Sequence, residues 1–140
     1  MRQASKAALI AEAIWPGDAA SRWLGMTLEE VRAGYARLSM RVTENMVNGQ
    51  NVCHGGLIFA LADSSFGYAC NSHNQRALAA GASIEFLAPA LLDELLVSEC
   101  SESAKAGRRG FYHARVVNHK GETIALFRGE SATVKGHWIE

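Results

Sequence analysis

No lysine or arginine occurs between Arg41 and Arg76, although this gap covers the most apolar part of the chain. That part, Val52–Cys70, carries a single acid, Asp63. Once buried, such a carboxylate has no cation to pair with, and it either costs several kcal/mol or shifts its pKa upward. Other absences narrow the function classes. The 14 basic residues balance the 14 acidic ones, which argues against nucleic acid or an anionic membrane surface as partner. The three cysteines, Cys53, Cys70 and Cys100, are odd in number and lack framework spacing, so they read as reduced thiols of a cytoplasmic protein. No run approaches the roughly 18 apolar residues of a membrane span. The first 21 residues, interrupted by Glu12, are too weakly apolar for a secretory signal. Repeats, linkers and low-complexity tracts are missing, and 140 residues suffice for one domain with a real core.

What is present patterns clearly. Residues 4–14 read as an amphipathic helix closed by Trp15-Pro16-Gly17-Asp18. Residues 33–42 alternate, with Tyr35, Arg37, Ser39 and Arg41 on one side and Ala36, Leu38, Met40 and Val42 on the other, the period of a half-buried strand. A loop rich in Asn and Gly follows. Gly55–Cys70 is apolar on nearly every face and rich in Ala and Leu, which favours a buried helix. Four strands follow: 78–88, one within 91–105, 111–118, and 123–135 after a turn at Gly121. Short connections imply antiparallel neighbours. The expected architecture is α+β, one antiparallel sheet wrapped around a long central helix.

The chemistry concentrates in "CHGGLIFALAD" (Cys53 to Asp63). His54-Gly55-Gly56 opens the helix, so backbone N–H groups of the first turn are free to face a ligand oxygen that gains negative charge. One reading is an oxyanion hole at Gly55; the other is that Gly55 and Gly56 only allow tight entry into the core. Asp63 follows Gly55 by eight residues, about 12 Å along a helix axis, whereas a base must sit within about 3 Å of the proton it takes. One helix therefore cannot bring both groups to one carbonyl. Two antiparallel copies across a two-fold axis can. The alternative for Asp63 is a helix-interior acid bonded to Ser64 or Ser65.

With these features the sequence resembles the hotdog-fold acyl-CoA thioesterases, in particular their phenylacetic-acid-degradation branch. The resemblance runs from about Leu24 to Lys135. It is carried by Asn48, the HGG at 54–56, the LAD ending at Asp63, "YACN" (68–71), "IEFLAP" (84–89) and "ALFRGES" (125–131). It implies residues 1–140 as one hotdog domain, with 1–18 as an N-terminal helix and turn. It also implies hydrolysis of an acyl-CoA, such as phenylacetyl-CoA or a ring-hydroxylated relative, without metal or other cofactor. A homo-oligomer is implied, a dimer of dimers with sites at the dimer interface. By the same resemblance Asp63 is general base or nucleophile, the Gly55 N–H polarises the thioester carbonyl, Asn48 orients thioester or water, and His54 lies beside the thioester. Some relatives add a Ser or Thr on the strand after the helix. Here Ala79, Ala80 and Gly81 occupy that neighbourhood and Ser83 lies slightly beyond.

Gly56, Ser64, Phe66, Ser83 and Phe86 are further candidates for substrate contact, Phe66, Tyr68 and Phe86 as an aryl pocket unless they are plain core. Arg108 and Arg109, beside Lys105, suit CoA phosphates through the planar guanidinium, unless their turn is simply solvated. Zinc fits poorly, because Cys53 and His54 are adjacent and lie some 25 Å from Cys70 and His73. A Cys53–His54 nucleophile pair is also poor, since neighbouring side chains diverge. No nucleophile elbow, Walker or dinucleotide glycine pattern occurs. The rival readings are a hotdog hydroxyacyl-thioester hydratase or dehydratase, and an acyl-CoA-binding module without turnover.

Overall fold

The structure, a computed structural model, describes residues 5–140; position 4, where the first expected helix begins, lies outside the described residues. Helix α1 (Lys6–Ile14) is capped by Ser5, whose Oγ accepts from the Ala8 N–H, and it buries Ala7, Ile10 and Ala11. Pro16 ends it in a 3-10 turn, Trp15–Gly17. The chain then re-enters a short helix, α2 (Ala19–Trp23), which the sequence reading did not anticipate. Asp18 caps it by accepting from the Ser21 N–H.

Strands β1 (Thr27–Arg32) and β2 (Tyr35–Arg41) precede helix α3 (Gly55–Asn71), and β3 (Ala77–Phe86), β4 (Leu95–Ala106), β5 (Arg109–Val117) and β6 (Thr123–Thr133) follow it. All six strands form one antiparallel sheet of order β1-β2-β4-β5-β6-β3, wrapped around α3. This is the α+β arrangement expected of a hotdog fold. Strand β1 corrects the expected count. It is an edge strand, half of it charged (Glu29, Glu30, Arg32), and a bulge between Leu28 and Glu30 breaks its period. The rule that short links join neighbours fails once. β3 and β4 are consecutive, yet β3 pairs with β6 and β4 with β2, so the 87–94 segment passes from one side of the sheet to the other.

The core is the layer between sheet and helix. Leu38 and Met40 from β2, Leu96 and Cys100 from β4, Val116 from β5 and Phe127 from β6 meet Ile58, Leu61, Ala62, Phe66 and Ala69 of α3. The alternation expected for β2 holds at Ala36, Leu38 and Met40, which are buried, and at Arg41, which is exposed, but not at Ser39, which is buried and donates to Glu29 of β1. β3 is different: its residues are exposed almost throughout, and its free edge closes the sheet. No helix among the described residues is long and apolar enough to cross a membrane.

Candidate active site

Helix α3 starts where His54 stops the extended chain. The His54 Nδ1 accepts from the Gly56 N–H at 3.1 Å, and the His54 carbonyl takes the N–H groups of Leu57 and Ile58. Of the first-turn donors only the Gly55 N–H has no acceptor among the described residues. It stands at the positive end of a 17-residue helix. Phe86, at the end of β3, packs directly over it: a methyl group added to Gly55 would lie 3.1 Å from Phe86 Cζ. A cavity of about 330 Å³ opens beside them, lined by apolar side chains including Val52, Ile58 and Leu87, and by Cys53. Burial pushes the Cys53 thiol up to about 11, so it is neutral there.

Asn48 belongs to the same end. Its Oδ1 accepts from the N–H groups of Gln50 and Val52, which folds the loop leading into the helix. Its amide NH₂ has no acceptor among the described residues. His54, Gly55, Gly56 and Phe86 are thus brought together within one chain, with Asn48 in the loop that leads into them.

Asp63 is not with them. It lies two turns along α3, exposed, with no hydrogen bond or ion pair among the described residues. Its neighbours one turn away on the helix are Phe59, Ala60, Phe66 and Gly67, none with a polar side chain. The adjoining hydroxyls are engaged elsewhere: Ser64 Oγ bonds Ser21 Oγ at 2.8 Å, and Ser65 Oγ donates to the Ala62 carbonyl and meets Ser98. The reading of Asp63 as an acid bonded to those serines is therefore not what the structure shows. Although its surface is open, the protein around it desolvates the carboxyl and raises its pKa.

The expectation of a helix buried all round also needs correction. Gly56, Ala60, Asp63, Ser64 and Gly67 form a stripe of small residues that the chain itself leaves partly or fully exposed. Helical period sets them on one side, away from the sheet.

Four other candidates lie apart from the Gly55 cluster within the chain. Phe66 is 1% exposed and packs on Phe127 and Tyr112 in the core, since its position on α3 faces the sheet. Ser83 pairs across from Arg128, whereas Ile84 pairs with buried Phe127, so Ser83 points to the outer face of the sheet. There it borders a cavity of about 550 Å³ with His113 and Arg128; this cavity is larger than the one at Gly55 but shares none of its residues. Arg109 is bonded to Glu130, and Arg108 is exposed. Both sit at the β4–β5 turn. Arg109 is level with Ala132, seven residues along β6 from the Ala125 that faces Phe86, or about 23 Å.

The sequence reading missed how α2 is fastened. Tyr68 donates to Asp18 Oδ2 at 2.9 Å and Trp15 packs on the Tyr68 ring, so α2 is held to α3 at Ser64 and Tyr68, one turn apart. The capping pattern Asp18–Ser21 was the available signal.

Comparison with known proteins gives consistent findings. The family model described as the thioesterase superfamily matches residues 50–125. The acyl-coenzyme A thioesterase PaaI of Escherichia coli is 37% identical over 126 residues, 90% of each chain. A putative esterase of Archaeoglobus fulgidus is 37% identical over 116 residues, covering 83% of this chain and 75% of its own. The solved structure of the E. coli PaaI protein from the phenylacetic acid degradation operon superposes with a TM-score of 0.93, covering 94% of this chain and 96% of that one.

Proposed function

The chain belongs to the thioesterase superfamily, as a hotdog-fold acyl-CoA thioesterase, and from this premise we propose that it hydrolyses phenylacetyl-CoA or a ring-hydroxylated relative in the cytoplasm, at sites shared between two subunits. The observation that carries the reading is the pair of unsatisfied groups on α3. Among the described residues, one is the Gly55 N–H, the sole first-turn donor without an acceptor, and the other is the carboxylate of Asp63, which has no partner.

In the proposed reaction the thioester carbonyl oxygen accepts from the Gly55 N–H of one subunit. Asp63 of the other subunit takes a proton from water as its oxygen adds to the carbonyl carbon. The tetrahedral oxyanion is held by the Gly55 N–H and the helix dipole. Its collapse breaks the C–S bond, and the proton on Asp63 passes to the departing thiolate, giving free acid and CoA. The amide NH₂ of Asn48 is available to orient the thioester or the water. His54 acts through its cap, which spends Nδ1 on Gly56 and so leaves Gly55 as the donor; that commitment disfavours the acid–base imidazole a hydratase uses. Water is the only co-reactant, and no metal or other cofactor is required. Two antiparallel α3 helices meeting along their small-residue stripes, with the free β3 edges alongside, fit an isologous dimer; pairs of dimers complete the proposed tetramer.

Mixing Asp63→Asn subunits with Gly55→Pro subunits tests the shared site, since proline is tolerated at the first helical position but lacks the N–H. Random exchange should restore about a quarter of wild-type thiol release from phenylacetyl-CoA, because half the dimers then hold one intact site of two. No recovery after confirmed exchange overturns the shared geometry.

A further inference from the structure

Glu94 is a buried acid that the proposed reaction leaves unused. It ends the 87–94 segment, and no lysine or arginine pairs with it among the described residues. His119 is exposed, with Nδ1 3.7 Å from Glu94 Oε2. Both carboxylate oxygens accept instead from neutral donors. Oε1 takes the Leu91 N–H at 2.7 Å, and Oε2 takes the Asn118 amide NH₂ at 2.9 Å. Asn118 is buried and braced in turn, since its Oδ1 accepts from the N–H groups of Lys120 and Glu122 in the β5–β6 turn. A purely structural account makes Glu94 a turn closer, because its own N–H donates back to the Leu91 carbonyl.

The bonds reach further than the turn. The Leu91 N–H and the Ala90 carbonyl belong to one planar peptide. That carbonyl accepts from the Cys53 N–H at 2.8 Å, directly before the cap residue His54. Glu94 thus grips one side of a peptide plane whose other side holds the entry to α3, and hydrogen bonds in such a chain strengthen one another. The Gly55 N–H has no partner of its own among the described residues. Its direction is therefore set by the two bonds just before it, Cys53 to Ala90 and the His54 N–H to the Met46 carbonyl at 2.7 Å. Ala90 is fully buried, and with Leu87, Ala88 and Pro89 it lines the cavity at Gly55. Local preference alone does not give the segment this shape. Asp93 adopts a left-handed φ of 71°, a conformation that persists where its surroundings over-determine it.

We infer that Glu94 is a positioning residue for the thioester reaction: through the Ala90–Leu91 peptide it aims the Gly55 N–H at the carbonyl oxygen. The inference rests on the reading of Gly55 as the oxyanion donor, and every contact it uses lies within one chain. A misaimed donor fails the transition state more than the bound substrate, because the charge it meets develops only there. Loosening Glu94 should therefore lower kcat and spare KM. A turn closer would lower stability alone.

The test follows thiol release from phenylacetyl-CoA, together with Tm, in Glu94→Gln, in Glu94→Gln paired with Asn118→Asp, and in Gly129→Ala as a control. Glutamine has one acceptor oxygen and so loses one of the two bonds. Aspartate at 118 then accepts from the new NH₂ and restores that bond with its polarity reversed. Glu94→Gln should lower kcat at least about tenfold, short of the roughly 10²- to 10³-fold lost with a whole oxyanion donor. KM should stay within about twofold, and the paired exchange should bring kcat back to within about threefold of wild type. Gly129→Ala, whose methyl group would press on the Phe66 ring away from Gly55, should lower Tm and leave kcat unchanged. A Glu94→Gln protein that loses Tm but keeps kcat within about twofold, or raises KM alone, overturns the inference. So does a paired exchange that recovers Tm without kcat. If Glu94→Gln does not fold, Asn118→Ala, which releases Oε2 and leaves the Leu91 bond, is read by the same criteria. Wild-type kcat in Gly55→Pro would instead sink the reading beneath it.

Discussion

Replacing Asp63 by Asn should make the protein a much poorer enzyme and a slightly more stable one. Removing a positioned base costs 10²- to 10⁴-fold in rate, about 3–5 kcal/mol of barrier, and no polar side chain one turn away on the helix substitutes for it. Stability should move the other way. Desolvation raises the folded-state pKa of Asp63, so the fold disfavours the ionised form. This group's contribution is most favourable below the unfolded value of about 3.9. It falls as pH rises through the raised folded value and is constant above that. Asn removes the charge, has similar helix propensity and breaks no hydrogen bond. Because Asp63 is exposed, solvent screening limits the gain at neutral pH to at most about 1 kcal/mol, or about 2–4 °C in Tm. Thiol release under saturating phenylacetyl-CoA and thermal melts at pH 3 and pH 7.5 measure both effects; the Tm gain should be present at pH 7.5 and vanish at pH 3. A variant within tenfold of wild-type rate, or one that melts lower at pH 7.5, would return Asp63 to a structural role.

One further substitution and one reagent probe the surroundings. Gly129 on β6 makes room for Phe66, since a methyl group there would lie 2.9 Å from the Phe66 ring. Gly129→Ala should cost about 1–3 kcal/mol by overpacking and leave the acetyl-to-phenylacetyl preference unchanged; a changed preference would restore Phe66 to the acyl pocket. Burial pushes the Cys53 thiol up to about 11 and that of Cys70 up to about 12. At pH 8 a thiol reagent should therefore react slowly with the native protein and with all three cysteines after denaturation. Rapid native labelling would contradict this burial.

The parts that were legible in the sequence are those where local pattern and global packing agree. β2 announces its buried face because its two sides differ in polarity, and α3 announces itself by length and Ala and Leu content. β1 was missed because charges and a bulge erase its period. In β3, Leu78-Ala79-Ala80-Gly81-Ala82-Ser83 has almost no contrast between its faces, and a bulge between Ala79 and Gly81 shifts the parity. The face of Ser83 was therefore unreadable. The bond between Arg109 and Glu130 exists only because β5 and β6 pair in one register, which spacing along the chain does not encode. Phe66 and Phe86 look alike as letters. One faces the sheet from α3, while the other ends an exposed edge strand over Gly55.

The same contrast explains why the central helix is built as it is. A helix serving only as core filler has no use for a bare carboxylate, and it gains from alanine wherever glycine is not sterically required. α3 departs from these rules on one side only, at Asp63 and Gly67, while its sheet-facing residues follow the packing rules closely. The donor at Gly55 is fixed by its own chain through the cap of His54 and the ring of Phe86. The acid eight residues on is fastened by nothing except the helix, and its flanking hydroxyls are held away by Ser21 and Ser98. A rigid donor and an unpaired acid about 12 Å apart serve no single carbonyl. In the proposed dimer a two-fold axis brings them together, and each chain gives its donor to one site and its acid to the other. Losing the dimer should then abolish turnover even in a chain that remains folded.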